Sequence, residues 1–191
     1  RLVTGIITTV VDASIEECAT FEYMKDSRGN LASLKKKMIV KQHVEKLTSH
    51  SQLFYSLRKF PLIYKREFWM LAIWKREGAS RIWLTYEDTN LIDNTIQGSQ
   101  ENVHADAKTV WLFEKLPKIG NKDQCRVTMV TRRDLKGIVP SSVMNSLVGY
   151  IKKGFKIFRN HFDKSKEIDL LMRLKIIEKL KILELGYNSL S

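Results

Sequence analysis

The feature that most constrains the fold is a run of six β-rich segments between residues 36 and 136. The segments are rich in Val, Ile, Thr, Tyr, Phe and Trp, which favour strands, and short turn-prone clusters such as Glu77-Gly78-Ala79 separate them. Consecutive strands joined by short turns indicate an antiparallel meander, because parallel neighbours need long crossovers. We predict strands over 37–47, 52–60, 66–76, 80–89, 107–116 and 124–135, with a polar irregular loop over 90–106.

Helical signals flank this run on both sides. A β-branched strand over 3–12 precedes a helix predicted over 14–26, which Ser14 and Glu17 begin as a capping box and Gly29 ends as a left-handed cap. After Pro140 the apolar residues recur at three- and four-residue steps, which predicts a helix over 140–163. A second helical run follows over 166–186.

The order of these elements indicates an α+β fold. A curved antiparallel sheet must cover its concave face, and the helix over 140–163 is the late element long enough to do so. Because one helix does not fill a strongly curved sheet, we expect an internal hydrophobic cavity between them.

The charge balance indicates an acidic partner surface. Lys and Arg number 33 against 21 Asp and Glu, so the net charge is +12, and either an anionic membrane or a nucleic acid fits such an excess. A basic face that only aids solubility is the third alternative. The basic clusters lie on different elements and match no nucleic-acid motif, so we expect peripheral contact with an anionic membrane and no nucleic acid; they are Lys35-Lys36-Lys37, Arg132-Arg133 and Lys152-Lys153.

Other features of the composition favour a cytoplasmic protein. Charged residues interrupt the first 20 positions, so no signal peptide is visible, and no apolar run reaches the length of a membrane span. Cys18 and Cys125 have no metal spacing and are expected to be buried thiols in a reducing compartment. Because the chain begins at Arg1, we expect it to be a domain of a longer protein with other domains.

Three segments carry a resemblance to a known family. Residues 60–69 contain a proline turn followed by Arg66-Glu67 and a strand, and residues 111–117 form a later strand ending at a proline. The most specific segment is 126–145, in which a strand, Asp134, Gly137 and Ile-Val-Pro lead into a helix. The chain resembles the START (StAR-related lipid-transfer) domains, with Lys136 where the family usually has a glycine.

The resemblance implies the helix-grip fold and a lipid-binding domain over 1–163. The chain also departs from the family: the Trp-Asp pair usual after the first helix is not visible at 30–33, and the N-terminal helix is absent. The helical run after 163 has no counterpart in the family's core domain, so we assign 164–191 as a basic amphipathic helical extension. The extension either lies on a membrane or serves as a linker helix.

A lipid site needs an apolar tunnel with one or two polar groups. Arg66 is the candidate for a buried charge that pairs with an acid or a lipid phosphate; alternatively it faces solvent and Glu67 neutralises it. We expect the ligand, a sterol or phospholipid, to contact residues of the strands and of the helix over 140–163, namely Arg66, Trp83, Trp111, Phe113, Met129, Thr131, Met144, Leu147, Val148 and Ile151.

Enzymatic function is the main alternative. A hydrolase or cyclase can share the helix-grip fold, but the chain has no phosphate-binding loop, nucleophile elbow or zinc-protease motif. The four histidines show no metal spacing, and Asp134 is expected to order the turn at Gly137. We therefore predict a non-catalytic domain with no metal or cofactor, for lipid transfer or lipid sensing.

Overall fold

A computed structural model of the chain describes residues 2–32, 38–91 and 102–188. In chain order the elements are β1 Leu2–Val11, α1 Ile15–Tyr23, α2 Arg28–Ala32, β2 Ile39–Lys46, β3 Ser51–Arg58, β4 Arg66–Glu77, β5 Arg81–Asp88, β6 Val103–His104, β7 Asp106–Ile119, β8 Lys122–Asp134, α3 Ser141–His161 and α4 Ser165–Asn188.

The strands form one open sheet in the order β1-β8-β7-β5-β4-β3-β2, and each neighbouring pair is antiparallel. The short strand β6 pairs in parallel with the start of β4. With a long C-terminal helix on this sheet, the α+β prediction is confirmed. The irregular loop predicted over 90–106 is wrong at its end, where β6 and the start of β7 form, and its residues 92–101 lie outside the described part.

The core lies on the concave face of the sheet, where alternate side chains point. On β5 the buried residues are Ile82, Leu84 and Tyr86, whereas Trp83 and Thr85 between them are only partly buried. The two cysteines are buried free thiols in the same core, as predicted. A second, smaller cluster on the other face contains Tyr55, Leu57 and Trp69.

Helix α1 begins at the predicted capping box. The Glu17 backbone N–H donates to Ser14 Oγ at 3.1 Å, and the Ser14 N–H donates to Glu17 Oε2 at 2.8 Å. The predicted end is wrong, because α1 stops at Tyr23 and Gly29 lies inside α2. Side chains from the sheet bind the carbonyls that a longer helix would use: the amide of buried Gln52 donates to the Tyr23 carbonyl at 2.8 Å.

Helix α3 covers part of the concave face with an apolar stripe at helical spacing. Its buried residues are Val143, Met144, Leu147, Phe155 and Phe158.

The turn before α3 places Lys136 and Gly137 at φ +54° and +66°. Asp134 Oδ1 accepts the Lys136 N–H at 2.9 Å, so Asp134 orders this turn as predicted. Because glycine adopts a positive φ without steric cost, the φ of Lys136 explains why the family that this chain resembles usually has a glycine here.

Helix α4 extends the domain beyond the sheet. Its start is fixed where the Lys164 N–H donates to Asp12 Oδ2 at 2.8 Å and where Lys122 pairs with Glu167. Further along, the described apolar side chains are exposed; they are Leu170, Met172, Leu174, Ile176, Ile177, Leu180 and Ile182. Within the described residues, no helix combines the length and apolarity of a membrane span.

Candidate functional site

A half-open cavity of about 70 Å³ lies on the concave face, between the sheet and the C-terminal end of α1. Small-molecule sites commonly measure roughly 300–1,000 Å³, so this space accommodates a small group and not a whole lipid. The cavity is lined by Glu22, Lys25, Phe54, Arg58, Phe68, Met70, Tyr86, Ala107, Thr109, Trp111, Met129 and Arg133.

The apolar wall of the cavity continues into a stack of aromatic rings. Trp111 lies parallel to Phe155 of α3, with 5.6 Å between ring centroids, and its centroid is 5.9 Å from that of Phe158. Phe158 in turn meets Phe21 of α1 edge to face at 5.4 Å and Phe162 at 5.2 Å. We call these five residues the aromatic cluster; it joins both helices to the sheet at one end of the cavity.

The opposite end of the cavity carries charge. Lys25, Arg58 and Arg133, here named the cationic cluster, are all partly buried, and among the described lining residues Glu22 is the one carboxylate. Glu22 forms an ion pair with Lys25. Three cations and one anion leave a net charge of +2 on the described residues of the lining.

The electrostatics of the cationic cluster follow from burial and mutual repulsion. Burial, together with the nearby Arg58 guanidinium, lowers the pKa of Arg133 to about 10. Burial also lowers the pKa of Lys25, which the pairing with Glu22 partly offsets. In both groups burial is the largest cause of the shift, because it disfavours the charged form.

Two hydroxyl groups complete the polar lining. Thr109 lines the cavity and hydrogen bonds to Thr131 through their side-chain oxygens at 2.9 Å. The Tyr86 hydroxyl donates to the Glu22 carbonyl at 3.0 Å, and burial holds the pKa of Tyr86 well above its ordinary value. Tyr86 therefore serves as a neutral donor that fixes the end of α1 over the cavity.

The residues expected at the ligand occupy three environments. Trp111 and Met129 line the cavity, while Phe113 and Thr131 are buried directly beside its lining residues. From α3, Met144 and Leu147 are buried in the core and Ile151 packs against it. Val148 is 37% exposed and does not line the cavity.

Trp83 lies on the opposite face of the sheet, which corrects its expected place at the cavity. Its Nε1 donates to Glu77 Oε2 at 2.9 Å. The reason is the two-residue alternation of β5, which turns Leu84 inward and Trp83 outward.

Arg66 is buried, with 3% of its surface exposed, so the solvent-facing alternative is wrong. Its hydrogen-bond partners among the described residues are backbone carbonyls: Nε donates to Leu135 at 2.6 Å, Nη1 to Tyr64 at 2.6 Å and Nη2 to Lys136 at 3.3 Å. Arg66 thus ties the loop before β4 to the turn before α3, and burial lowers its pKa.

Sequence reasoning missed the charged residues of the cavity. Arg133 continues the inward series of Met129 and Thr131 on β8, so strand alternation contained the signal for it. Glu22 and Lys25 come to the cavity through contacts such as Tyr86 to Glu22, which are remote in sequence and leave no local pattern.

The fold also joins one histidine to two carboxylates, which spacing did not reveal. His104 Nε2 lies 3.1 Å from Asp88 Oδ1 and 4.0 Å from Asp106 Oδ1. Lys136 pairs with the same Asp106. These partly exposed groups lie where β5 ends and β7 begins, two strands that are neighbours in the sheet.

Comparison with solved structures shows the same fold in START domains. The lipid transfer and protein localization domain of human StarD13 matches with a TM-score of 0.63 and 17% identity, covering 84% of this chain and 77% of that one. Human STARD10 matches with a TM-score of 0.62 and 17% identity over 83% of this chain, which spans 62% of STARD10. A STAR-related lipid transfer protein fragment from Xanthomonas axonopodis gives 0.61 and 16%, covering 83% and 85%.

A comparison with curated proteins found no match. The family model for the START domain matches residues 4–168, which is most of the chain. This protein therefore belongs to the START domain family.

Proposed function

We propose that this domain is a non-catalytic lipid-binding domain that takes up one hydrophobic ligand on the concave face of its sheet, for intracellular lipid transfer or lipid sensing at anionic membranes. The cavity carries this proposal, because it combines an apolar wall of Phe54, Met70, Trp111 and Met129 with polar groups at one end. That combination suits an amphipathic ligand, and membership of the START family supports it.

The lining of the cavity favours binding over catalysis. Among its described residues there is no Cys, His or Ser that an adjacent base could activate as a nucleophile. Thr109 is already engaged with Thr131, and Tyr86 with a carbonyl. The described lining therefore offers a hydrolase no Ser, Cys or His nucleophile, and its Lys25 is engaged in an ion pair with Glu22.

Uptake of a whole lipid requires the cavity to enlarge several-fold, because about 70 Å³ is available. We propose that α3 moves away from the sheet to provide this volume. Gly149 and Gly154 lie on its exposed side, where a glycine lowers helix stability by about 1 kcal/mol relative to alanine. The apolar stripe of α3 would then contact the lipid in place of the sheet.

One end of the domain suits contact with a bilayer. Leu62, Tyr64 and Ile138 are 82%, 74% and 97% exposed. The bonds of Arg66 to carbonyls of both loops hold these side chains at the same end of the fold. We propose that this end docks on the membrane, with Lys65 beside it contributing roughly 1 kcal/mol at an anionic surface.

We also propose that residues 164–191 form an extension outside the lipid-binding domain. The exposed apolar side chains of α4 support this assignment, since the described part of the helix leaves the sheet after Leu171. Such a helix can lie on a membrane or link the domain to a neighbour in a longer parent protein. Deleting 169–191 should weaken vesicle binding only if the helix lies on the membrane.

Lipid extraction from vesicles by a cavity-filling variant tests the proposed function. Ala107 is buried and lines the cavity, so Ala107→Phe fills the space that a ligand needs. Extraction of fluorescent phospholipid and sterol should fall roughly tenfold or more, which corresponds to about 1.4 kcal/mol of lost binding. Val130→Phe on the exposed face of β8 is the matched control and should extract normally.

Unchanged extraction by a folded Ala107→Phe variant would argue against a ligand in this cavity. A parallel gel-shift series with DNA and RNA at increasing salt tests the alternative that the partner is a nucleic acid. Tight nucleic-acid binding without lipid extraction by the unmodified domain would contradict the proposal.

A further inference from the structure

Among the described residues, the cationic cluster has fewer acidic partners than its charge requires. Glu22 is committed to Lys25, and no other described carboxylate lies within ion-pair distance of Arg58 or Arg133. Buried or partly buried charges normally find an opposite charge, because desolvation without a partner is costly. The cluster therefore has two uncompensated positive charges directed at one cavity.

Within the described part of the chain, the partners of Arg58 are weak. Its Nε lies 3.4 Å from Ser56 Oγ, and its guanidinium lies 5.4 Å from the ring centroid of Phe68 and 5.9 Å from that of Tyr150. Stacking on these rings orients the guanidinium plane while leaving N–H donors available.

Arg133 is held in a similar way. Its Nε lies 3.4 Å from Thr131 Oγ1, at the limit of a hydrogen bond. Its attraction to Glu22 acts without direct contact, and Arg58 repels it. Two arginines that repel each other across a cavity are stabilised when an anion lies between them.

We propose that the cavity binds the anionic head group of one lipid, a phosphate or a carboxylate, between Arg58, Arg133 and Lys25. Guanidinium groups match the oxygens of both anions in bidentate geometry. The apolar part of the lipid then extends along Met70, Trp111 and Met129. This inference rests on the proposed function, since it names the class of ligand for the same cavity.

The volume of the cavity agrees with this assignment. In its present form the cavity of about 70 Å³ accommodates a small polar group and no acyl chain. The head-group end therefore exists before the ligand arrives, whereas the chain end must open. A neutral sterol would leave the excess positive charge uncompensated, and a zwitterionic lipid would bring a further cation together with its phosphate.

A competition experiment tests the inference. The full chain is incubated with vesicles holding equal amounts of phosphatidic acid, oleic acid, phosphatidylcholine and cholesterol, re-isolated, and its bound lipids are measured by mass spectrometry. We expect the anionic lipids to exceed the neutral ones roughly tenfold or more, the usual effect of hydrogen bonds to a charged group.

Two variants with the same change in net charge provide the control. Arg133→Met should abolish the preference for anionic lipids, and Arg133→Lys should restore part of it. Arg132→Met removes a charge from the exposed face of the same strand and should keep the preference. Circular dichroism melts establish that each variant is folded.

The outcomes distinguish a failure of the head-group inference from a failure of the proposed function. Equal uptake of neutral and anionic lipids, or an unchanged preference in folded Arg133→Met, overturns the inference while the proposed function stands. Uptake of no lipid at all overturns both. Titration with inorganic phosphate distinguishes the source of the anion. If the protein binds phosphate saturably but takes up no anionic lipid, the proposal that the anion is a lipid head group is overturned.

Discussion

The two ends of the concave face differ in how completely they are filled. At the aromatic cluster, five rings from α1, β7 and α3 and its C-terminal cap lie in mutual contact, with centroid distances of 5.2–5.9 Å. At the cationic cluster, three positive side chains and one carboxylate surround an open space. The same sheet thus supports a filled end and an unfilled end.

This difference separates stability from binding. Stacked aromatic side chains supply large buried area and close packing, so the aromatic cluster holds α1 and α3 on the sheet. Like charges beside a cavity contribute little to stability and leave donors free for a ligand. We therefore expect mutations at the two ends to affect different measurements.

The largest effect is expected at the aromatic cluster. Phe158→Ala removes a buried ring that contacts Phe21, Trp111 and Phe162, and should lower the free energy of unfolding by about 3–5 kcal/mol. Urea denaturation measures this loss. Ile157→Ala, an exposed neighbour on α3, should change the free energy of unfolding by no more than about 0.5 kcal/mol. Equal losses in the two variants would contradict a stabilising role of the aromatic cluster.

Arg66 should have the next largest effect, because its hydrogen bonds join two loops. Arg66→Met leaves three carbonyls without their donor and should cost about 2–3 kcal/mol of stability. Arg76→Met, which breaks an exposed ion pair with Glu16, should cost less than about 1 kcal/mol. Thermal denaturation of the two variants side by side would show a comparable loss if Arg66 had no special role.

A glycine of α3 should give a smaller effect of opposite sign. Gly154→Ala adds a methyl group that meets no atom within 4 Å, so it should stabilise the protein by about 0.5–1 kcal/mol. Gly137→Ala, at φ +66°, should instead destabilise it by about 1 kcal/mol. Urea midpoints that move in the same direction for both would contradict the described backbone.

The smallest effect on stability is expected at the cationic cluster. Arg133→Met removes a partly buried charge that no carboxylate of the described residues contacts, so the free energy of unfolding should stay within about 0.5 kcal/mol of its original value or rise. Urea denaturation and lipid binding should therefore respond differently to this variant. A loss of several kcal/mol would show that Arg133 stabilises the fold and would remove the distinction between the two ends.

Local patterns predicted most of the fold. The strands follow from β-branched and aromatic segments between turns, and the capping box fixed the start of α1 at Ser14. The end of α1 was not predictable, because Gln52 of a distant strand binds the Tyr23 carbonyl. Local signals determine where an element begins more often than where it ends, because tertiary contacts can set its end.

The site was less predictable than the fold. Large aromatic residues on the strands predicted the ligand contacts, and this prediction placed Trp83 at the cavity. The alternation of β5 instead turns its side chain to the opposite face. The pair Arg132-Arg133 was interpreted as one basic surface, yet successive strand residues point to opposite faces. Glu22 and Lys25 reach the cavity through tertiary contacts that no short pattern encodes.

Native mass spectrometry after incubation with lipid vesicles tests the central claim most directly. The account predicts a complex of one protein with one lipid, retained by Val130→Phe and lost from Ala107→Phe. A folded protein that carries no lipid, or an Ala107→Phe variant that carries as much as the unmodified chain, would contradict a lipid site in this cavity.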